Sequence, residues 1–282
     1  MILVTGATGT VGREVVTQLL AAGEQVRGMT RNPSTAQFDA RVEVVKGDFA
    51  APGTLAKAVQ GVEQVFSLTL GPQTGTHERD LAGLAKKAGV RHIVKLSAMG
   101  GDGETKNAIR EWHEQGEEAI KQTGVAWTVV RPGGFMSNAL HWVRTVRTEG
   151  KVFSNYGDGK LPSVHPRDIA AVAVRALTSD GHQRKTYHLT GPEALSVGEQ
   201  VDILSEVLGR RIEYVRITDD IARTGMEKAG IPALIIDALI PFAAFIRSGR
   251  AAEVLPTVEE VTGRPALTFI DWVRENADKF CK

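Results

Sequence analysis

The stretch Thr5-Gly6-Ala7-Thr8-Gly9-Thr10-Val11-Gly12 joins an apolar run, residues 2–5, directly to an amphipathic stretch, residues 13–22. Three glycines at a strand-to-helix passage have separate uses: the first permits a tight turn, the second lets backbone approach a ligand, and the third lets the helix pack on the strand. The free N–H groups at the helix start and the positive end of its dipole favour an anion. Gly6, Thr8, Gly9, Thr10, Val11 and Gly12 therefore read as a cradle for the diphosphate of a dinucleotide.

Beyond this turn, β-branched runs alternate with helical segments. The runs cover residues 2–5, 25–30, 42–46, 64–68, 92–97 and 126–131, and glycine stands where helices should end, at Gly23, Gly61, Gly89 and Gly124. That alternation predicts a parallel sheet with helices on both faces. The fold class is α/β, a Rossmann-type doubly wound parallel sheet with a smaller, mostly helical C-terminal domain. Further helices are expected near residues 138–147 and 168–177, the latter with Asp168 at its N-cap, and a strand at 186–189 should return to the main sheet. Ser196 with Glu199 reads as a capping box for a helix over 197–208. The expected division puts residues 1–134 and about 160–191 in the dinucleotide domain, and about 135–159 and 192–282 in the smaller substrate or cap domain.

Bulk properties narrow the partner. With 42% hydrophobic and 24% charged residues, the 282-residue chain has an ordinary globular composition. A formal net charge of +1 lacks the basic excess that a nucleic-acid surface requires. The single cysteine, Cys281, excludes an intramolecular disulfide and a cysteine-based metal site. No secretion signal is visible, so a reducing, cytoplasmic setting is expected. The longest apolar stretch, residues 231–246, is broken by Pro232, Asp237 and Pro241 and reads as two short helices rather than a bilayer span. The expected partner is a small molecule, with no nucleic acid, membrane or metal, and the oligomeric state is open, a homodimer being possible.

The G-x-x-G-x-x-G spacing resembles that of extended and atypical short-chain dehydrogenases. In a dinucleotide fold the end of the second strand reads the ribose, and here Arg31 stands there. A guanidinium suits the 2′-phosphate of NADP, where an acidic residue would suit NAD. NADP(H), with NADPH preferred over NADH, is the expected coenzyme; the alternative is an arginine that is simply solvated. Leu68, Thr69 and Leu70 follow the fourth run on the carboxyl edge, where backbone contact to the coenzyme is expected.

Short-chain dehydrogenases usually place a serine after the fifth strand and a Tyr-x-x-x-Lys pair on the next helix. Ser97 fits the serine position. The literal match Tyr156 to Lys160 carries Gly157 and Gly159 inside it and falls after the sixth run, so it reads as a loop. The helix that should carry the pair offers His113 and Glu117 instead.

This departure, together with His92-Ile93-Val94-Lys95-Leu96-Ser97, Trp127-Thr128-Val129-Val130-Arg131-Pro132-Gly133-Gly134-Phe135-Met136 and His165-Pro166-Arg167-Asp168-Ile169-Ala170, resembles the NmrA-like atypical short-chain dehydrogenases. The likeness is to their NAD(P)H:quinone oxidoreductase and triphenylmethane reductase branch, and it extends to Thr262-Gly263-Arg264-Pro265 near the end. The resemblance implies an oxidoreductase that reduces a planar electrophile, quinone-like or aromatic, such as a dye. It places Asp48, with Phe49 beside it, at the adenine, although Asp48 serves equally well as a cap. It puts His113 by the nicotinamide ribose, as the candidate catalytic group that orients the coenzyme or donates a proton. Phe135 and Met136 fall on the segment lining the nicotinamide side. Some relatives bind NADP without evident turnover and act as redox sensors through a protein partner, which stands as the alternative. A sugar-nucleotide epimerase is the weaker third reading, because it needs the missing Tyr/Lys pair.

Overall fold

The computed structural model describes residues 1–100 and 108–281. Among them the strands are β1 (Ile2–Val4), β2 (Val26–Thr30), β3 (Glu43–Lys46), β4 (Gln64–Leu68), β5 (His92–Leu96), β6 (Ala126–Pro132), β7 (Lys151–Ser154), β8 (Lys185–Leu189) and β9 (Glu213–Arg216). The helices are α1 (Thr10–Ala21), α2 (Leu55–Ala58), α3 (Thr74–Lys87), α4 (Ala108–Lys121), α5 (Val143–Glu149), α6 (Pro166–Thr178), α7 (Val197–Leu208), α8 (Asp219–Lys228), α9 (Ala233–Arg247), α10 (Thr257–Thr262) and α11 (Phe269–Phe280). The chain divides into two compact units. The first is built from Met1–Ala98, Arg110–Pro132 and Pro166–Leu189, and the second chiefly from Gly133–His165 and the residues after 189.

The first unit carries a seven-stranded sheet, ordered β3-β2-β1-β4-β5-β6-β8. Every pairing is parallel, from Ile2 against Val26 on one side of β1 and Gln64 on the other, out to Pro132 against Leu189. This is the doubly wound sheet the alternation predicts, including the return of the late strand. The central strands β1 and β5 are buried along their whole length, which is why β1 reads as an apolar run rather than as an alternating pattern. One face packs Leu3, Leu55, Val65, Leu81, Ile93 and Ile120 into a continuous core. Helices end where glycine allows a left-handed residue, as at Gly23 (φ +81°) and Gly89 (φ +84°).

Strand order reverses between β1 and β4, since the chain winds outward through β2 and β3 before returning. Ligands of such sheets collect at the carboxyl ends of the strands flanking that point. Here the two strand ends are tied together: the Thr5 amide donates to the Phe66 carbonyl at 3.0 Å, and the Leu68 amide donates to the Thr5 hydroxyl at 2.8 Å.

The second unit has its own core, with Val146, Val152, Val201, Leu204, Trp272 and Phe280 among its buried residues. Ser196 caps α7 as a full capping box with Glu199, as its sequence predicts. Three features differ from the sequence reading. Residues 231–246 form not two helices but most of one, α9, with Pro241 inside it; an internal proline forfeits one backbone hydrogen bond, and burial of Ile236, Ala243 and Ile246 on either side holds the helix through it. Asp168 lies within the first turn of α6, which begins at Pro166, and is fully buried rather than acting as an N-cap. Finally, β7 and β9 pair in parallel, Lys151 against Glu213 through Ser154 against Arg216, a short two-stranded sheet that no local pattern signals. No helix among the described residues is long and apolar enough to cross a membrane.

Candidate coenzyme turn and buried polar edge

The phosphate turn has the geometry its glycines demand. Gly6 adopts φ +60°, a left-handed conformation that other residues enter only with strain. Gly12 allows no side chain: a Cβ there would lie 2.1 Å from the Gly6 carbonyl oxygen. The Gly9 amide closes the turn onto Gly6 O at 2.9 Å, and Gly9 is the N-cap of α1 with no side chain capping the helix. Thr8, Gly9 and Thr10 are exposed, whereas Val11 and Gly12 are buried against the sheet. The first-turn amides of α1 are therefore offered outward at the switch point, where an anion would satisfy them. Arg13, which the sequence reading passed over, braces the turn by donating from Nε to the Thr8 carbonyl at 2.9 Å.

Arg31 follows β2 on the same carboxyl edge. It is exposed, and among the described residues no hydrogen bond or ion pair engages its guanidinium. Asp48 follows β3; its Oδ1 accepts from the Ala50 amide at 3.0 Å, so one carboxylate oxygen is used in its own turn. Phe49 stacks on His77 with ring centroids 5.2 Å apart. Leu70 is 74% exposed at the end of the β4 segment, while Leu68 packs against Gly6, whose Cβ would meet its Cδ2 at 3.3 Å.

Further along this edge, β4, β5 and β6 end on an array of buried polar side chains. Glu78 of α3 is fully buried and accepts from three donors: Ser67 Oγ at 2.6 Å, Thr69 Oγ1 at 2.7 Å and Lys95 Nζ at 2.7 Å. Lys95 is fully buried too. One turn further along the sheet, Glu117 of α4 accepts from Ser97 Oγ at 2.6 Å and takes a bidentate guanidinium from Arg131, with Nε at 2.8 Å and Nη2 at 2.6 Å. Lys121 Nζ stands 3.6 Å away. Burial pushes the Glu117 carboxyl up, but the bonds from Arg131 and Ser97 outweigh it and hold the group below the ordinary carboxylate range. Gly116 makes room for this packing, because a Cβ there would come within 2.9 Å of both Glu78 Cγ and Thr74 Cγ2.

His113 sits on α4 one turn before Glu117. It is 6% exposed, and among the described residues its Nδ1 has no hydrogen-bond partner. A buried imidazole nitrogen without a partner is costly unless a ligand supplies one. Burial, and then the Lys95 ammonium, push the His113 pKa down to about 4, against the opposing pull of Glu78 and Glu117. His113 is therefore neutral at neutral pH.

The structure thus brings Ser97, Thr69 and His113 to one edge with the glycine turn, but with the two hydroxyls already donating to carboxylates. Sequence reasoning singled out Ser97, His113 and Glu117 and missed Glu78, Lys95 and Arg131 as members of the array. Two signals were present: a lysine between the apolar Val94 and Leu96 of a central strand, and a glycine in mid-helix at 116. Phe135 and Met136 belong to the second unit, where the Met136 amide donates to Val164 O at 3.1 Å and its side chain is buried in that unit's core. The Tyr156 and Lys160 match is a loop, as expected, and Lys160 pairs with Glu199 at 2.6 Å. His165 is buried and lies 3.3 Å from Glu275.

A parallel sheet of this order, with a glycine turn at its switch point, defines a dinucleotide-binding α/β protein. The chain belongs to the NAD(P)H-binding family, whose profile matches residues 6–180. It is 44% identical over 282 residues to the (4-alkanoyl-5-oxo-2,5-dihydrofuran-3-yl)methyl phosphate reductase of Streptomyces griseus subsp. griseus, covering 99% of each chain. It is 39% identical over 283 residues to the NAD(P)H azoreductase of Xenophilus azovorans, again covering 99% of each. Among solved structures, the NADPH complex of the quinone oxidoreductase QOR2 from Escherichia coli superposes with a TM-score of 0.84 at 26% identity, covering 98% of this chain and 99% of that one. The likeness to NAD(P)H-dependent reductases, a quinone oxidoreductase among them, that the sequence leads one to expect is what these matches show.

Proposed function

We propose that this chain is an NADPH-dependent oxidoreductase that reduces a planar, delocalised electrophile of the quinone or dye type. The observation carrying the reading is the Nδ1 of a buried, neutral His113, which has no partner among the described residues, on an edge where the Ser97 and Thr69 hydroxyls already donate to carboxylates. The reductase activities of the relatives support the reaction class, and the NADPH in the solved neighbour supports the coenzyme.

The residues fit a dinucleotide. Gly6 and Gly12 permit a turn too tight for a Cβ at Gly12, no side chain caps the first-turn amides of α1, and the exposed Arg31 can meet a 2′-phosphate. When bound, the reduced nicotinamide coenzyme supplies a hydride, two electrons with one hydrogen nucleus. His113 then orients a polar group of coenzyme or acceptor by hydrogen bonding. A neutral imidazole donates a hydrogen bond without being a ready proton source, so the chain holds the reactants rather than delivering acid. A quinone that gains a hydride leaves a phenolate, which water protonates, and a cationic dye needs no proton at all.

Anaerobic consumption of NADPH with a panel of quinones and dyes tests this directly. Turnover well above the uncatalysed reaction is expected, with His113→Ala losing activity at unchanged NADPH binding. Tight NADPH binding without turnover would favour a redox sensor that works through a protein partner.

A further inference from the structure

A hydroxyl at the carboxyl end of a central strand can assist a reacting carbonyl only if its hydrogen points at the substrate. In this chain the Ser97 hydrogen has another destination. Ser97 is 3% exposed and its Oγ lies 2.6 Å from Glu117 Oε1. Glu117 is held by the Arg131 fork through both oxygens, with Lys121 also near, and a carboxylate gripped in this way is ionised and can only accept. The hydrogen of that short contact must therefore belong to Ser97. What Ser97 presents to any other group is lone pairs alone.

Resting on the reductase reading above, we propose that the Glu117–Arg131 pair is a positioning device that turns Ser97 into an obligate acceptor, and thereby makes the site unable to polarise an isolated carbonyl. The pair is a specificity determinant. Acceptors whose reduced form takes its proton from water, or needs none, pass; simple ketones and aldehydes, whose developing alkoxide needs a donor at the moment of hydride arrival, do not. Thr69 repeats the arrangement just after β4, its hydroxyl committed to Glu78 as Ser97 is to Glu117. A donor serving such a carbonyl would contribute on the order of 10²-fold or more, which is the size of the discrimination the wiring withholds. Ser97 remains able to accept from an N–H or O–H of the coenzyme, so its loss should raise the KM for coenzyme more than it lowers kcat.

Two measurements decide this. In isotope-labelled, coenzyme-free wild-type protein, NMR should find the Ser97 hydroxyl proton protected from exchange and correlated with the Glu117 carboxylate carbon; a Ser97 hydroxyl in rapid exchange with water overturns the proposal whether or not the protein turns over any quinone. In the double variant Glu117→Leu/Arg131→Met, an apolar replacement of the pair, the ratio of aromatic-ketone to quinone reduction should rise roughly tenfold or more, and adding Ser97→Ala should abolish the gain. A double variant that still binds NADPH with an unchanged ratio also overturns it. Absence of quinone turnover in wild type would remove the reductase reading while the NMR result still settles the wiring.

Discussion

The glycine turn and the buried polar edge lie on the same side of one sheet, yet they are built from opposite materials. The turn is backbone: Gly6, Gly9 and Gly12 give shape and amides, and its side chains are incidental. The edge is side chain: two carboxylates, each surrounded by donors drawn from separate strands, with nearly every hydrogen assigned. A backbone site is specified by a few residues close in sequence and tolerates change everywhere else. A wired edge depends on Ser67, Thr69, Glu78 and Lys95 in one group and Ser97, Glu117 and Arg131 in the other, and fails if any member leaves a partner behind.

That contrast predicts the sharpest loss at the edge. Lys95→Ala or Glu78→Ala alone should cost about 3–5 kcal/mol in urea unfolding, because each strands a fully buried charge. The double variant Glu78→Leu/Lys95→Met should recover only part of this, since the Ser67 and Thr69 hydroxyls lose their acceptor. Full additivity of the two single losses would show that the pair does not act as a unit.

Acid should act next, at His113 on this edge and at His92 at the opposite, amino end of β5. Burial holds His113 at about 4, and burial with His182 nearby holds His92 at about 4, against an ordinary value of 6.5. Folded-state values this low mean that the unfolded chain binds protons first. The stability is complete above pH 6.5 and is lost as pH falls from 6.5 towards 4, by about 3 kcal/mol for each histidine at 1.36 kcal/mol per pH unit. His113→Gln should flatten part of that slope; an unchanged slope in both His113→Gln and His92→Gln would contradict the assignment.

At the turn the expected effects are smaller and local. Gly12→Ala places a Cβ against backbone that cannot give way, costing about 1–3 kcal/mol and weakening NADPH binding. Gly83→Ala is the matching control on α3, where nothing lies within 4 Å, and should stabilise by up to about 1 kcal/mol through helix propensity. Equal behaviour of the two variants would mean that close approach is not what Gly12 provides.

The contrast also explains what could be read in advance. The turn, the six early strands and the capping box of α7 were legible because each is a local rule acting on consecutive residues. The Glu78 and Glu117 arrays were not, since a glutamate on an amphipathic helix looks like any solvated one until the sheet register brings Lys95 or Arg131 beneath it. The β7 and β9 pairing failed for the same reason: four residues each, joined only through the fold. Pro241 misled in the other direction, because a local rule against proline was outweighed by burial on both sides of it.

The most direct measurement is calorimetric titration of NADPH and NADH into wild type and Arg31→Ala. Binding of NADPH at least roughly tenfold tighter than NADH is expected in wild type, about what one charge-assisted phosphate contact supplies, with the difference collapsing in the variant. Failure of wild type to bind either coenzyme would contradict the assignment of the glycine turn, and with it the function built on that turn.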